Sequence, residues 1–479
     1  MSERLVAGII LAAGIGTRMR SDRPKVLHEV AGRPMVNHVI EALGALAPTV
    51  TVVVVGPRMD DVAAAVAPHP TALQAEPRGT GHAVLAARKL LDGFVGDVVV
   101  LYGDVPLIRS DTIRRLVAAA GTDAIAVLGF RPTDPSGYGR LILDRDGRLD
   151  RIVEHKDADA VEQAVALCNA GAVALDVGRL FALVERLRPN NVQGEYYLTD
   201  IVGLARADGI AAVVVEADAE EVMGVNSRVD LSVVEAAAQT RLRRAAMMAG
   251  ATLTAPDTVH LCADTRLGRD VTVGPFVVFG PGVTVGDRVE IRAFCHIERA
   301  AIADGAVIGP FARLRPGAEI GAGAHIGNFV EIKNAVIEAG AKANHLSYIG
   351  DARVGAAANI GAGTITCNYD GVAKSHTDIG AGVFIGSNTA LVAPVKIGDG
   401  AMIGAGSVIT ADVPAGALSF TRSPVTEIAG GAERFRERRI RSPAEPIAAK
   451  AEPAKAKPAK AELAKAKPAK AKPAKAEPE

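Results

Sequence analysis

The chain contains no tryptophan, and phenylalanine and tyrosine together supply only 4% of its 479 residues. It is correspondingly rich in glycine, with 50 residues. Aromatic side chains contribute much of the buried area of ordinary globular cores. This composition is therefore more typical of a repetitive solenoid than of an average globular domain.

Net charge and closely spaced cysteines are also missing. Basic and acidic residues both number 54, and the Lys-rich C-terminal segment implies that the rest of the chain is mildly acidic. We therefore do not expect the folded part to bind nucleic acid. Cys168, Cys262, Cys295 and Cys367 lack the spacing of a zinc site, so we expect free thiols in a reducing compartment.

Long apolar runs are absent as well. No stretch approaches the roughly 18 apolar residues of a membrane span, and no basic segment with an apolar core opens the sequence. We expect a cytosolic protein without membrane insertion. Its length and 49% apolar content suffice for two or three domains.

The sequence does contain a six-residue repeat. From Ile379 onwards a branched apolar residue, usually followed by glycine, returns at every sixth position, and the same phase recurs upstream from Leu267. Three such hexads form one triangular coil whose inward side chains stack on the next coil. This predicts a left-handed parallel β-helix over residues 251–414. A polar insertion at residues 367–377 interrupts the repeat and is a candidate functional loop.

The N-terminal part alternates apolar runs with helical patterns. Candidate strands lie at residues 6–11, 51–55, 97–101 and 124–130, with helical stretches such as 37–43 and 82–91, which indicates a doubly wound α/β sheet. A glycine-rich loop from Gly14 to Arg18 follows the first strand and precedes Lys25, a combination that suits phosphate binding. The loop is neither a dinucleotide fingerprint nor a P-loop, so a structural turn remains an alternative.

The glycine loop and the segment Tyr102-Gly103-Asp104 both follow predicted strands. Ligands of such sheets bind beyond the carboxyl ends of the strands. Two roles remain open for Asp104: a ligand for Mg²⁺ beside phosphates, or a helix cap or turn residue.

A helical spacing of apolar residues over 227–248 predicts a rigid arm between the two parts. Ser227 is the expected N-cap and Gly250 the expected stop. We interpret the arginines at 241, 243 and 244 as a solvated face of this helix, not as a nucleic-acid patch.

Further motifs resemble one family. In the first half they are Leu11-Ala12-Ala13-Gly14-x-Gly16-Thr17-Arg18-Met19, Pro24-Lys25, Gly79-Thr80-Gly81-His82-Ala83, Tyr102-Gly103-Asp104, Gly137-Tyr138-Gly139-Arg140, Gln193-Gly194-Glu195-Tyr196-Tyr197 and Gly224-Val225-Asn226. In the second half they are Phe311-Ala312-Arg313-Leu314-Arg315-Pro316-Gly317, His345-Leu346-x-Tyr348, Asn359-Ile360-Gly361-Ala362-Gly363-Thr364 and Thr366-Cys367-Asn368-Tyr369-Asp370-Gly371. From about residue 6 to 422 the chain resembles the bacterial bifunctional N-acetylglucosamine-1-phosphate uridyltransferase and glucosamine-1-phosphate N-acetyltransferase family.

The resemblance implies a first site for UTP, Mg²⁺ and a sugar phosphate. Arg18 and Lys25 would be catalytic cations, and Asp104 and Asn226 the metal ligands. The nucleotide and sugar contacts that it implies are Leu11, Ala12, Ala13, Gly14, Lys25, Gln74, Gly79, Thr80, Tyr102, Gly103, Asp104, Gly139, Glu154, Asn169 and Asn226. Uridylyl transfer needs no covalent nucleophile, so positioning and charge neutralisation suffice.

The resemblance implies a second site that acetylates an amino sugar. His345 would be the general base for the amine that attacks acetyl-CoA, since imidazole titrates near neutrality; a structural histidine is the alternative. The implied amino-sugar-phosphate contacts are Arg315, Lys333, Tyr348, Asn359 and Lys374, and the implied acetyl-CoA contacts are Ala362, Asn368, Tyr369, Ser387, Ala405 and Arg422. Cys367 is interpreted as a neighbour, because direct amine attack needs no acyl-carrying thiol.

The family also implies a parallel homotrimer with the cofactor bound between prisms, and Lys374 is the residue that we expect to be borrowed by the neighbouring site. The expected domains are a uridyltransferase at 1–227, a helical linker at 228–250, the acetyltransferase β-helix at 251–441 and a disordered Lys/Ala/Pro-rich tail at 442–479. Two other readings remain: a uridyltransferase whose β-helix is only a scaffold, and a sugar-nucleotide sensor. Ile15 and Ala170 depart from the family's usual lysine and threonine.

Overall fold

The computed structural model describes residues 4–441. The polypeptide forms one compact unit that extends to Arg422, and a second unit begins at Ser423. Helix α9 (Gly431–Arg441) belongs to the second unit. The expectation of a disordered tail lies outside the described residues, and the predicted domain boundaries stay predictions.

The N-terminal part is an α/β domain. Its strands are β1 (Val6–Leu11), β2 (Glu29–Val30), β3 (Arg33–Pro34), β4 (Val50–Val55), β5 (Thr71–Leu73), β6 (Asp97–Tyr102), β7 (Ala124–Phe130), β8 (Arg140–Leu143), β9 (Leu149–Val153), β10 (Cys168–Asp176) and β11 (Ala211–Glu216). Its helices are α1 (Met35–Gly44), α2 (Asp60–Ala65), α3 (Thr80–Ala86), α4 (Ser110–Ala120), α5 (Ala160–Gln163), α6 (Val177–Val184) and α7 (Ile201–Ala207).

The main sheet runs in the order β11-β7-β10-β6-β1-β4-β5, with β8 and β9 attached at its side. The strands are parallel except for β10, which runs antiparallel to both β6 and β7. Both faces are covered, because two separate sets of buried apolar residues pack on opposite sides of the central strands. The predicted doubly wound sheet is confirmed. Of the predicted helix at 82–91, only the first part is α-helical, and a 3₁₀ turn follows at Arg88–Leu91.

Helix α8 (Arg228–Met248) is the predicted arm. Ser227 and Asp230 form a reciprocal capping box at its start, in which each side chain accepts a hydrogen bond from the other's backbone N–H. Gly250, with φ of +105°, follows its end. The buried side chain of Gln239 makes two hydrogen bonds with the backbone of Leu261, 2.7 and 2.9 Å long, and thereby joins the arm to the first coil of the next domain.

The second domain is a parallel β-helix. Its strands are β12 (Thr252–Leu253), β13 (Arg266–Leu267), β14 (Thr272–Val273), β15 (Val278–Phe279), β16 (Thr284–Val285), β17 (Glu290–Ile291), β18 (His296–Ile297), β19 (Ala300–Ile302), β20 (Val307–Ile308), β21 (Arg313–Leu314), β22 (Ala318–Ile320), β23 (His325–Asn328), β24 (Glu331–Ile337), β25 (Lys342–His345), β26 (Tyr348–Val354), β27 (Asn359–Ile360), β28 (Ile365–Cys367), β29 (Thr377–Ile379), β30 (Phe384–Ile385), β31 (Ala390–Val392), β32 (Val395–Ile397), β33 (Met402–Ile403), β34 (Val408–Ile409) and β35 (Leu418–Ser419).

The hexad repeat predicts the register of this prism. Val273, Ile291, Ile308 and Ile326 stack in successive coils and are at most 1% exposed. One face is the ten-stranded sheet from β12 to β35. Strands β24 and β26 each pass round a corner and join the other two faces into a 14-stranded sheet. The predicted left-handed parallel β-helix is confirmed, and the polar insertion after Cys367 leaves the stack as a loop.

Candidate active sites

A cavity of about 400 Å³ opens at the carboxyl ends of β1 and β6. Its walls include most of the predicted nucleotide contacts, and the lining residues that the argument uses are Gly14, Lys25, Gln74, Thr80, Tyr102, Asp104 and Asn226. Gln74 is buried and donates a 3.0 Å hydrogen bond from Nε2 to the Gly79 carbonyl. Gly79 has φ of +106°, and a Cβ there would meet the backbone of Tyr196 at 2.7 Å. Only glycine therefore fits at this position in the wall.

One cationic side chain joins the two predicted metal ligands. The Lys25 ammonium forms an ion pair with Asp104 Oδ2 and donates a 3.1 Å hydrogen bond to Asn226 Oδ1. A carboxylate oxygen and an amide oxygen thus converge on the same cation. Mg²⁺ commonly takes one or two protein oxygens and completes its shell with water and substrate phosphates, so this pair fits such an ion. Within residues 4–441, no group of three or more His, Cys, Asp or Glu side chains forms an alternative metal site.

The arm helix positions one of these ligands. Asn226 directly precedes the N-cap of α8, and its backbone N–H donates a 3.0 Å hydrogen bond to Asp230 Oδ2. Val225 N–H donates to the carbonyl of Asp104 at 3.0 Å, which ties the two ligand segments together. The predicted catalytic Arg18 lies instead in an exposed 3₁₀ turn, Thr17–Met19, and does not line the cavity.

A narrow cleft beside this cavity is lined by one of the predicted sugar contacts, Asn169, while Gly139 and Glu154 lie behind its wall and are hydrogen-bonded to Asn169 and Thr199. Tyr102 lines both spaces, and Asn169 lines the cleft. Asn169 N–H donates to the Gly139 carbonyl at 2.8 Å, and a Cβ on Gly139 would approach Glu154 Oε2 at 3.3 Å. Burial raises the pKa of Glu154, while a 3.1 Å hydrogen bond from Thr199 Oγ1 opposes that rise.

Tyr102 links the nucleotide cavity to the cleft chemically as well. Burial, reinforced by the negative charges of Glu154 and Asp104, raises the pKa of its phenol. The phenol therefore stays protonated at neutral pH and remains a hydrogen-bond donor. Sequence reasoning did not predict Thr199, Pro77 or Glu195 in these walls, because each reaches the site through tertiary packing.

The second site lies on the β-helix around His345. Its Nδ1 is 2.7 Å from Asn328 Oδ1, the residue at the same position of the preceding coil. An amide oxygen only accepts, so Nδ1 must carry the proton and Nε2 keeps its lone pair. The imidazole is exposed, and a substrate can therefore reach Nε2.

Two of the predicted phosphate-binding cations lie in adjacent coils, Arg315 directly after β21 and Lys333 on β24. Arg315 pairs with Glu331 at 2.8 Å, and Lys333 lies 3.4 Å from Asp351. Tyr348 is the register partner of Glu331 in the following coil. His345 lies just before the left-handed corner residue Leu346, whereas Arg315 and Lys333 lie just before the neighbouring corner at Gly317 and Asn334. Tyr348 lies on the face between these two corners.

Asp351 ties the polar loop to these cations. It accepts hydrogen bonds from Asn334 Nδ2 at 2.7 Å and from Asn368 Nδ2. Burial acts to raise the pKa of Asp351, but these hydrogen bonds and the Lys333 charge outweigh it and hold the pKa below its usual value. The contact with Asn368 fixes the start of the loop.

Lys374 and Asn359 occupy different surroundings. Lys374 is within hydrogen-bond reach of Lys333 in the same chain. This hydrogen bond and, after it, the positive charge of Lys333 lower the pKa of Lys374. Its predicted role in a neighbouring copy stays a prediction. Asn359 lies on the ten-stranded face as the register partner of Lys342. Within residues 4–441, no hydrogen bond or ion pair connects its side chain to Arg315 or Lys333.

The predicted acetyl-CoA contacts form a row above His345. Ala362, Ser387 and Ala405 occupy the same corner in the next three coils, as the pairings of β25, β27, β30 and β33 require. In the described chain, 4–441, no hydrogen bond engages the backbone N–H of any of the three. The row thus offers three donors at intervals of about one coil. Arg422 stacks over Phe420 at 5.4 Å and lies beside Gly404.

The remaining predicted contacts and thiols complete this picture. Tyr369 is 60% exposed on the loop, and its hydroxyl donates to the Gly371 carbonyl at 2.7 Å.

All four cysteines are free thiols, as predicted, and only Cys367 is partly exposed. Burial raises the pKa of Cys295 to about 11. No helix in the described residues 4–441 is both long and apolar enough to cross a membrane.

The α/β domain with a nucleotide-sized cavity and the hexapeptide prism with a corner site define a two-site transferase. Residues 8–166 match the MobA-like NTP transferase domain, and residues 264–299, 300–334 and 376–411 match the bacterial transferase hexapeptide repeat. The chain is 58% identical to the bifunctional protein GlmU of Paramagnetospirillum magneticum, over 91% of this chain and 98% of that protein. It is 63% identical to that of Rhodospirillum rubrum (90% and 97%) and 57% identical to that of Xanthobacter autotrophicus (92% and 99%).

The chain therefore belongs to the bifunctional GlmU family. It is a transferase of UDP-N-acetylglucosamine synthesis with two activities, uridylyl transfer to N-acetylglucosamine 1-phosphate and N-acetylation of glucosamine 1-phosphate.

Proposed function

We propose that Lys25, Asp104 and Asn226 form the reactive centre for uridylyl transfer. An oxygen of the sugar phosphate attacks the α-phosphorus of UTP, a new P–O bond forms, and the bond to pyrophosphate breaks on the opposite side. Lys25 turns to the phosphates of UTP and neutralises their charge. This releases Asp104 Oδ2 and Asn226 Oδ1, which Lys25 contacts in the present structure. Asp104 and Asn226 would then hold Mg²⁺, which supplies further charge neutralisation when bound. Arg18 reaches the phosphates only if its glycine-rich turn folds over them.

In this proposal N-acetylglucosamine binds where the 400 Å³ cavity meets the neighbouring cleft, and the cleft, which has only about 10 Å³ of free volume, must widen to admit the sugar ring. Glu154 accepts hydrogen bonds from sugar hydroxyls, and Asn169 pairs with the acetamido group or a hydroxyl. Gly139 leaves the Glu154 carboxylate undisturbed, because a Cβ there would approach Glu154 Oε2 at 3.3 Å. Tyr102 separates sugar from nucleotide and donates from its protonated phenol. Leu11 to Gly14, Gln74, Gly79 and Thr80 hold the uridine nucleotide, and Gly103 keeps the strand end close to Leu11 through a 2.9 Å backbone hydrogen bond.

In the acetyl site, His345 Nε2 takes the proton from the substrate amine. The amine nitrogen bonds to the thioester carbonyl carbon, the C–S bond breaks, and the sulfur leaves as a thiolate that is then protonated. Asn328 is a positioning residue, since its oxygen holds the proton on Nδ1. This pair, 2.7 Å apart, is the observation that carries the assignment of the base.

Substrate and cofactor approach His345 from two sides. Arg315, Lys333, Lys374, Tyr348 and Asn359 would bind the phosphate and hydroxyls of glucosamine 1-phosphate, the cations as charge-assisted donors. The free N–H groups of Ala362, Ser387 and Ala405 would bind carbonyl and phosphate oxygens of acetyl-CoA, with Arg422, Asn368 and Tyr369 beside them.

We further propose a homotrimer through the β-helix, in the cytosol, with the domain limits 1–227, 228–250, 251–441 and 442–479. The support for oligomerisation is the hexapeptide repeat and a prism whose cofactor row is open to solvent. Sedimentation of the full chain should give three copies, and a monomer that is active in acetylation would overturn the trimer.

One product assay tests both reactions. The full chain is incubated with glucosamine 1-phosphate, acetyl-CoA, UTP and Mg²⁺, and products are separated by mass. We expect the N-acetylated sugar phosphate and then the UDP-sugar. His345→Ala should lose about 10² to 10⁴ in acetylation rate while still uridylylating added N-acetylglucosamine 1-phosphate. Near-normal acetylation by His345→Ala across pH would refute the assignment of the base.

A further inference from the structure

Three buried hydroxyl groups lie inside the prism next to the cofactor row. This hydroxyl ladder consists of Thr364, Thr389 and Ser407. Each is at most 1% exposed and donates a hydrogen bond of 2.6 or 2.7 Å to the backbone carbonyl three residues earlier. The accepting carbonyls are those of Gly361, Gly386 and Gly404. Each of these carbonyls belongs to the same peptide unit as one free N–H of the cofactor row, because Ala362, Ser387 and Ala405 are the next residues along the chain.

The fold itself does not require a hydroxyl at this position. The four coils that begin this corner place apolar residues there, namely Val277, Cys295, Ala312 and Val330. At the neighbouring corner, which carries Gly323 and Ala357, equivalent positions hold Ala324, Ala358 and Ala401. All of these residues are at most 2% exposed, so an apolar side chain fills the space. Hydroxyls begin only at Ser347, two residues after His345, and continue along the cofactor row.

The backbone N–H of the cofactor row has a partner at the neighbouring corner. There the equivalent N–H groups of Arg269, Ala356 and Ala381 each donate to an Asp or Glu side chain from an adjacent coil, at 2.8–2.9 Å. Among residues 4–441, no side chain does this for the cofactor row. This backbone position therefore accommodates an oxygen of an anion, and the cofactor row leaves three such places for a ligand.

The hydroxyl ladder affects how well these N–H groups donate. A hydrogen bond to a peptide carbonyl polarises the amide and strengthens the N–H of the same peptide unit as a donor, by about 10–30% per bond. It also fixes the tilt of the peptide plane, so that the three N–H groups keep their direction at intervals of about 4.8 Å. Groups that are oriented before the ligand arrives lose less freedom when it binds.

We propose that Thr364, Thr389 and Ser407 are positioning residues for acetyl-CoA. Their hydroxyls are buried and do not touch the cofactor, and they act through the peptide units that they hold and polarise. This inference rests on the cofactor row proposed above and names the groups that prepare it. Ala405 lies three coils beyond His345, so its N–H binds a part of the cofactor remote from the reacting thioester. Loss of the Ser407 hydroxyl should therefore raise the KM for acetyl-CoA and leave kcat within twofold.

The test measures acetylation kinetics of the full chain with Thr364→Val, Ser407→Ala and the double variant. We expect each single change to raise the KM for acetyl-CoA about two- to fivefold. The double variant should show the product of the two effects, about four- to 25-fold, because the sites are two coils apart. The KM for glucosamine 1-phosphate and the rate of uridylyl transfer should stay unchanged. Thr364→Ser keeps the hydroxyl and should have the wild-type KM.

Thr258→Val is the matched control for the loss of a hydroxyl. Thr258 Oγ1 donates an equivalent 2.8 Å hydrogen bond to the Ala255 carbonyl, three residues earlier, in the first coil of the prism. This variant should keep the wild-type KM for acetyl-CoA even where its melting temperature falls. An equal rise in KM in Thr258→Val would overturn the proposal, because the effect would then follow from any loss of stability in the prism.

Ala405→Pro separates the hydroxyl ladder from the cofactor row. It removes the N–H itself, and the corner accepts proline, since Pro275 occupies the equivalent position upstream. We expect it to raise the KM for acetyl-CoA at least tenfold. A wild-type KM in Ala405→Pro would overturn the proposed cofactor row. A raised KM in Ala405→Pro together with a wild-type KM in the Thr364→Val/Ser407→Ala protein would overturn the role of the hydroxyl ladder alone.

Discussion

Replacing Asn328 with alanine removes the 2.7 Å hydrogen bond that orients the His345 ring. The backbone of the coil should be unaffected, because Asn328 is only partly buried and pairs with its neighbours through main-chain atoms. A hydrogen bond of this kind is worth about 0.5–1.5 kcal/mol. At about 1.4 kcal/mol per tenfold change in rate, we expect a two- to twelvefold fall in kcat for acetylation.

The assay is a double-mutant cycle on acetyl transfer, with uridylyl transfer as the internal control for folding. If Asn328 acts through the imidazole, Asn328→Ala should have little effect in a protein that already carries His345→Ala. Asn328→Asp offers a conservative comparison, since a carboxylate accepts the same hydrogen bond. Its charge should also move the limb of the pH profile upwards, because an adjacent anion favours the protonated ring.

Two results would refute this reasoning. If Asn328→Ala reduced acetylation equally with and without His345, the amide would act on the substrate directly and not through the ring. If Asn328→Ala and Asn328→Asp both had wild-type kcat and pH dependence, the orientation of the ring would have no kinetic importance.

Three other predictions concern separate parts of the molecule. Asp104→Ala should abolish Mg²⁺-dependent uridylyl transfer and spare acetylation, and equal loss of both in a folded protein would contradict the separation of the sites. Glu154→Gln should raise the melting temperature at neutral pH, because burial raises the folded-state pKa of Glu154 and so makes its ionised form unfavourable; the gain should vanish below about pH 4, and a gain that persisted there would point to another cause. Gly406→Leu should raise the KM for acetyl-CoA at least tenfold, equivalent to about 1.4 kcal/mol. Gly406 lies beside the cofactor row with φ of +75° and no atom within 4 Å of an added Cβ, so the leucine side chain would occupy the space that acetyl-CoA needs. Gly400→Leu, at an equally open left-handed position of another corner, is its control and should leave the KM unchanged.

The repeat made the prism predictable. A branched apolar residue that recurs at every sixth position, usually followed by glycine, can be buried all at once only if each coil places these residues inside. The inward residues from Val273 to Ile409 pack in this way. The N-terminal strands were equally legible, since β1 and β7 coincide with apolar runs in the sequence. Where a helix depends on tertiary packing, as at 82–91, its end was placed too late.

The candidate sites were predictable mainly as residue types. The partnership of Asn328 with His345 depends on a coil of 17 residues, one shorter than three hexads, and so it appears only when the register is known. The same holds for Asp351, which joins Lys333 to the loop residue Asn368. Arg18 is exposed in the turn at Thr17–Met19, and its role at the reactive centre stays a prediction.

The prism also sets how the distance between the two sites can change in evolution. Each coil hydrogen-bonds only to its immediate neighbours, so gaining or losing one whole coil between the arm and His345 would move the acetyl site along the axis by about 4.8 Å without turning it. Gaining a single hexad would instead rotate that site to another face. The separation of the two sites is therefore adjustable only in steps of a full turn, and shorter insertions must leave the prism at a corner, as the loop after Cys367 does.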